Sequence, residues 1–193
     1  MQTIRQIDRF WNARQYDKLS QELLRGRLEF SPRLVAELAN PVATAAMALI
    51  RLDELNQGFH PLTQKLIRTI LAAQEGDGGW GDLMVSALCL RALTCNRGQG
   101  PAVDRGMAYL AALQKEQGAW PTLPIRRTPE DAFVSAFILF QLADHPSFRA
   151  AVRFEDAVQW LAQNEPTFDP ETARLWHRAS LRCRLRPLAL AIN

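Results

Sequence analysis

The chain has 193 residues, of which 48% are hydrophobic and 22% charged, and carries a net charge of +3. That composition suits one globular domain with a sizeable core, and so mild a basic excess demands no nucleic-acid partner. Three cysteines, Cys89, Cys95 and Cys183, show neither metal-ligand spacing nor a disulfide framework, which points to a reducing compartment.

The N-terminal stretch MQTIRQIDRFWNARQ is charged from Arg5 onward and offers no apolar run for a signal peptide. RQIDRFWNAR (5–14) is basic and amphipathic, with Ile4, Ile7 and Trp11 at helical spacing, and is expected to pack against a neighbouring hairpin. Ser31-Pro32, Asn40-Pro41 and His60-Pro61 each set a capping residue before a proline at the first helical position. Gly58, after DELNQ (53–57), is expected to stop a helix. No segment alternates like a strand between hairpin turns, and no apolar run is long enough to span a bilayer. The chain is therefore expected to be all-α and cytoplasmic, with peripheral membrane contact left open.

Self-comparison reveals a repeat. AAMALIRL (45–52), SALCLRAL (86–93) and SAFILFQL (135–142) each set a small residue and an alanine before large apolar groups. LIRTILAAQ, MAYLAALQ and AVQWLAQ end at Gln74, Gln114 and Gln163. From Ala46, Ala87 and Ala136 the steps to those glutamines are 28, 27 and 27 residues. Two helices and a connector fit that length, so the unit is a helical hairpin repeated about every 40–50 residues. One hairpin cannot bury its apolar face alone and must stack on neighbours. All-apolar helices such as FVSAFILF (133–140) belong to an inner layer. Amphipathic ones such as PLTQKLIRTILAAQ (61–74) form the outer layer. TARLWHRASLRC (172–183) supplies a fourth inner helix.

Each outer helix runs into a related turn: QEGDGGW from Gln74 through Gly79 to Trp80, QKEQGAW from Gln114 through Gly118 to Trp120, and QNEPTF from Gln163 to Phe168. Glycine-rich loops also cradle phosphates, but that use needs a preceding strand and a following lysine. Here a helix precedes, no lysine follows, and Glu75, Asp77 and Asp82 would repel an anion. A structural joint is the expected role, with Gly76, Gly78 and Gly79 reversing the chain.

These turns resemble the glutamine–tryptophan motifs of squalene–hopene cyclases, oxidosqualene cyclases and related class II terpene cyclases, whose fold protein prenyltransferase β-subunits share. The resemblance covers roughly residues 41–176. It implies an α/α-toroid, in which the glutamine amide caps a neighbouring inner helix and the tryptophan stacks over it. With eight or nine helices against about twelve in the family, the ring is expected to be partial or open, exposing a concave apolar face. The organisation expected within 1–193 is N-terminal helices over 1–40, cyclase-like hairpins over 41–168, and an arginine-rich helix and tail over 169–193.

Class II cyclases protonate their substrate with an acidic D-x-D-D motif at the start of an inner helix. TPED (128–131) resembles it, with Thr128 in place of the first Asp, Glu130 as the implied proton donor and Asp131 as its support. The alternative makes Thr128 an N-cap, Pro129 the first helical residue, and the two acids first-turn residues favoured by the helix dipole. The prenyltransferase zinc pattern, an Asp-x-Cys, is broken because Phe133 follows Asp131-Ala132. His60, His145 and His177 make no ligand constellation, so no metal and no cofactor are expected.

In the last helix Arg174, Arg178 and Arg182 recur every four residues and line one face. A solvated face and an anionic partner are the two readings. The function expected is a non-catalytic or partner-dependent binding module whose concave apolar face takes a protein segment or a hydrophobic ligand such as an isoprenoid, with a protein partner or self-association expected. The alternatives are an isoprenoid cyclase component acting through Glu130, and a nucleic-acid-associated protein using the terminal arginines.

Overall fold

The computed structural model describes residues 2–25, 38, 40–96, 100–125 and 127–184. The Ser31-Pro32 cap and the tail beyond Arg184 lie outside them. The described residues form ten α-helices: α1 (Gln2–Asn12), α2 (Tyr16–Leu24), α3 (Pro41–Glu54), α4 (Pro61–Ala72), α5 (Leu83–Cys95), α6 (Pro101–Leu113), α7 (Ala132–Leu142), α8 (Pro146–Ala151), α9 (Phe154–Asn164) and α10 (Pro170–Arg184). The one β-feature among them is an isolated antiparallel bridge between Pro121 and Glu130. The protein is all-α, and none of these helices is long and apolar enough to cross a membrane.

α3, α5, α7 and α10 pack in chain order, each on the next, with α2 against the outer side of α3. α4 lies on α3, α6 on α5, and α9 touches both α7 and α10. Small residues let the central helices approach closely: Ala43, Ala45, Ala46 and Ala48 in α3, Ser86 and Ala87 in α5, Ser135 and Ala136 in α7, all buried. Residues 43–50, 83–90 and 134–142 are buried without interruption. Runs of that length exceed two helical turns, so every face of α3, α5 and α7 is covered. The exposed concave apolar face expected from the sequence is absent from these three helices. α10 differs: it buries only Thr172, Leu175, Trp176 and Ala179, a single stripe, and so closes one edge of the row.

Each row helix starts on an Asn or Asp cap. Asn40 accepts from Ala43 N at 2.8 Å, Asp82 from Met84 N at 2.7 Å, Asp131 from Val134 N at 3.0 Å and Asp169 from Glu171 N at 2.9 Å. Counting from these caps aligns Thr44, Ser86 and Ser135, four residues on. The first repeat is therefore offset by one from the alignment of Ala45 with Ser86 that the apolar texture suggests.

The first row helix does not stop at Gly58. Asn56 adopts φ 55°, donates to Asp53 O at 2.8 Å, and Gln57 donates to Leu52 O at 2.8 Å. That is a Schellman stop with asparagine in the left-handed position. His60 caps α4 as expected, its Nδ1 accepting from Leu62 N at 3.2 Å.

Among the glycines, two positions have no substitute. Gly78 and Gly118 have φ 95° and 91°, and a Cβ there would lie 2.5 Å from Arg105 O and 2.3 Å from Ala157 N. Gly76 meets nothing within 4 Å, and its φ is not in the left-handed region. Gly118→Ala is therefore expected to lower the unfolding free energy by well over the roughly 1–3 kcal/mol of backbone strain alone, whereas Gly76→Ala stays within about 0.5 kcal/mol of wild type. Urea unfolding followed by circular dichroism measures both.

Candidate functional site

Two constellations single themselves out: the glutamine–tryptophan turns and the TPED segment. The first two turns are the same object built twice. Glu75 N donates to Gly79 O and Lys115 N to Ala119 O, both at 2.9 Å. The glutamine Nε2 donates to Gly78 O at 2.9 Å in one and to Gly118 O at 2.7 Å in the other. The indole N–H returns to the last turn of its own outer helix, Trp80 to Ile70 O at 2.7 Å and Trp120 to Leu110 O at 2.8 Å. Each of those carbonyls also accepts a backbone N–H, Ile70 O from Ala73 and Leu110 O from Gln114, both at 3.2 Å, so the indole is a second donor to a helix-end carbonyl. The tryptophan backbone N–H donates to a row serine, Trp80 to Ser86 Oγ and Trp120 to Ser135 Oγ, both at 2.9 Å.

The glutamine amide also reaches the start of the next outer-layer helix. Gln74 Nε2 donates to Ala102 O at 2.8 Å, and Gln114 Nε2 donates to Arg153 O at 3.0 Å while its Oε1 accepts from Arg153 N at 2.7 Å. This corrects the expectation that the amide caps an inner helix. The inner helices carry their own Asn and Asp caps, so the amide is left to bind outer helix to outer helix. Counting four residues from each glutamine pairs Gly118 with Gly78, not with Gly79. Gly79 does a different job: a Cβ there would lie 2.6 Å from the ring of Tyr109.

The third turn is not a joint of this kind. A 3-10 turn, Glu165–Thr167, replaces the glycine. Gln163 is exposed, Phe168 is half-buried, and a phenyl ring has no N–H to return to the helix. Instead Trp176 Nε1 donates to Glu165 Oε2 at 3.2 Å. Among the described residues no outer helix follows α9, so Gln163 has nothing equivalent to reach.

TPED sits in an insertion. Between tryptophan and helix cap the first turn has one residue, Gly81, and the second has ten, 121–130. Thr122 N donates to Pro129 O at 3.1 Å and Asp131 N to Trp120 O at 2.9 Å, so the inserted loop leaves and returns side by side. Thr128 is not a helix cap: its hydroxyl donates to Ile125 O at 2.8 Å within the loop. Glu130 lies outside the helix, on the returning limb, exposed and 3.2 Å from the ammonium of Lys115. Its own backbone N–H, and then Lys115, hold its carboxyl below the ordinary glutamate range. A proton donor for an unactivated substrate needs the opposite shift. Asp131 is the cap of α7, and Asn40, Asp82 and Asp169 stand in the same place in the other three row helices.

Other reactive groups are similarly occupied. Burial pushes the Cys95 and Cys183 thiols up to about 11 and that of Cys89 higher still, away from the nucleophilic thiolate. Among the described residues no three His, Cys, Asp or Glu side chains gather as metal ligands. Arg182 lies over the Phe140 ring, 4.4 Å from its centroid, and donates to Phe140 O at 2.8 Å. Arg178 lies over the same ring at 5.4 Å. Arg149, unmarked in the sequence, donates to Ala143 O at 2.5 Å and Cys183 O at 2.8 Å, tying the ends of α7 and α10. Of the arginine stripe, Arg174 is the exposed member, Arg178 and Arg182 being half-buried. Comparison with protein-family models, curated proteins and solved structures finds no match for the chain.

Because folding favours ionised Glu130, its contribution to stability is present above the ordinary glutamate range and disappears as pH falls through the lowered midpoint. Carboxyl-carbon NMR is expected to place the Glu130 midpoint below that of a free glutamate side chain, and Lys115→Met to raise it. A wild-type midpoint near neutrality would return Glu130 to candidacy as an acid.

Proposed function

We propose that this chain is a non-catalytic or partner-dependent helical-repeat binding module of the α/α-toroid type, a partial ring derived from the terpenoid cyclase fold. The observation that carries this reading is the repeat itself. The residue in the place of the supporting aspartate, Asp131, does what Asn40, Asp82 and Asp169 do at helices with no acidic pair, and Glu130 sits ionised beside Lys115 at the surface. Structural duty accounts for both acids.

The sealed row supports the same reading, because an isoprenoid cyclase must enclose its substrate in an apolar cavity next to its acid. Among the described residues the exposed large apolar side chains lie off α3, α5 and α7, at Phe59, Leu71, Leu123, Ile125 and, on the open side of α10, Leu181. A partner segment or hydrophobic ligand would therefore engage the outside of the helical layers. The nucleic-acid reading is the weaker one, since Arg178 and Arg182 are engaged with Phe140.

The test is incubation with isoprenoid diphosphates and squalene, alone and with proteins that copurify from the native host. Wild type and Glu130→Gln are expected to behave alike and to release no cyclised product. A product formed by the wild type and lost in Glu130→Gln would establish the cyclase instead.

A further inference from the structure

Phe59 is the most exposed large apolar side chain among the described residues, with its whole surface open to solvent. An exposed phenyl on a mobile loop would mean little, but this one is fixed on both sides. Before it, Asn56 and Gln57 form the Schellman stop of α3. After it, His60 N donates to Gln57 O at 3.0 Å, and Pro61 opens α4 with His60 as its cap. The turn points the ring outward at little further cost in conformational entropy.

Beside this knob is a hole. Ile67 and Leu71 of α4, Leu93 of α5, and Pro101 and Val103 of α6 line an apolar groove of about 250 Å³. Asn96 lines it too, and Asn96 Oδ1 lies 3.7 Å from where a Cβ on Gly58 would stand, so the groove abuts the turn that holds Phe59. An apolar protein cavity of about 150 Å³ takes up a benzene ring; this groove is large enough for a phenyl group. Phe59 does not fill it in its own molecule, as its exposure shows.

The geometry points to reciprocal docking of a second copy of this chain, each copy inserting Phe59 into the other's groove. A two-fold interface requires one patch to hold both a feature and its complement, and knob and groove meet here at Asn96. Next to groove residues in the chain, Arg68 follows Ile67 on α4 and Asp104 follows Val103 on α6, both exposed, so charges of opposite sign adjoin the groove residues. Two buried phenyl rings remove about 300–500 Å² of side-chain surface from water. With their groove walls they reach the low end of specific interfaces, below about 1,200 Å² in total. The dimer is therefore weak and concentration-dependent, not obligate. It stands apart from the binding-module reading, since it needs no other partner and would hold for an enzyme as well.

Sedimentation velocity over a dilution series reads this directly. Wild type is expected to move from 21.8 kDa toward twice that mass as concentration rises. Phe59→Ser removes the knob and Leu71→Asp blocks the groove; each is expected to stay monomeric with an unchanged circular dichroism spectrum. Phe59 replaced by the photo-crosslinker p-benzoylphenylalanine, in a mixture of heavy- and light-isotope protein, is expected to give mixed-isotope crosslinks to the segment carrying Ile67 and Leu71 or to that carrying Pro101 and Val103. A wild type monomeric at its highest soluble concentration would overturn the proposal. So would a dimer that survives Phe59→Ser, or crosslinks confined to one isotope.

Discussion

A tryptophan beside a helix end can give one of that helix's last carbonyls a second hydrogen-bond donor, and in this fold that bond fixes much of the rest. Trp80 and Trp120 return their indole N–H to the outer helix they have just left, and their backbone N–H goes to a buried serine of the row helix they are about to enter. Each tryptophan thus sets the angle between two layers. Once it is placed, Gln74 and Gln114 bring in the next outer helix, and Gly78 and Gly118 let that helix approach to backbone contact. One turn positions three helices.

The constraint also explains where the chain departs from its own pattern. An insertion is tolerated only where it leaves the tryptophan and the following cap in place. The loop 121–130 does so by returning beside its own start, from Trp120 O to Asp131 N. Glu130, the one acid in that loop, pairs through its side chain with the Lys115 ammonium and takes no part in the glutamine and tryptophan bonds of the joint. At the third turn the helix to be tied is missing from the described residues, and the glycine, the tryptophan and the buried amide are missing with it.

The sequence showed the class and the repeat because both are written in periodicity: apolar texture for the row helices, glutamine and tryptophan for the joints. It was less legible wherever a residue's meaning depends on what arrives from far along the chain. The serines of the row looked merely small, but Ser86 and Ser135 are acceptors for tryptophans that precede them by 6 and 15 residues. Gly79 looked like the joint glycine because it touches Trp80 in sequence; Gly78 is the one that meets Arg105. Arg149 carried no signal at all, since its partners are carbonyls at two helix ends. The acids of TPED looked like a site because aspartate and glutamate serve catalysis and helix capping equally well, and only alignment on Asn40, Asp82 and Asp169 separates the two.

The account rests on the turns being joints between helices, and on the third turn being a vestige of one. Alanine replacement of the three glutamines, with urea unfolding as the measurement, puts that to the test. Gln114→Ala strips partners from the buried Gly118 carbonyl and from the N–H and C=O of Arg153, so a loss of about 2–4 kcal/mol is predicted at an unfolding transition that stays cooperative. Gln74→Ala falls between, its amide being half-buried, and Gln163→Ala stays within about 0.5 kcal/mol of wild type. Equal effects at Gln114 and Gln163 would contradict the account, because an exposed side chain and a buried three-way tie would then be doing the same work.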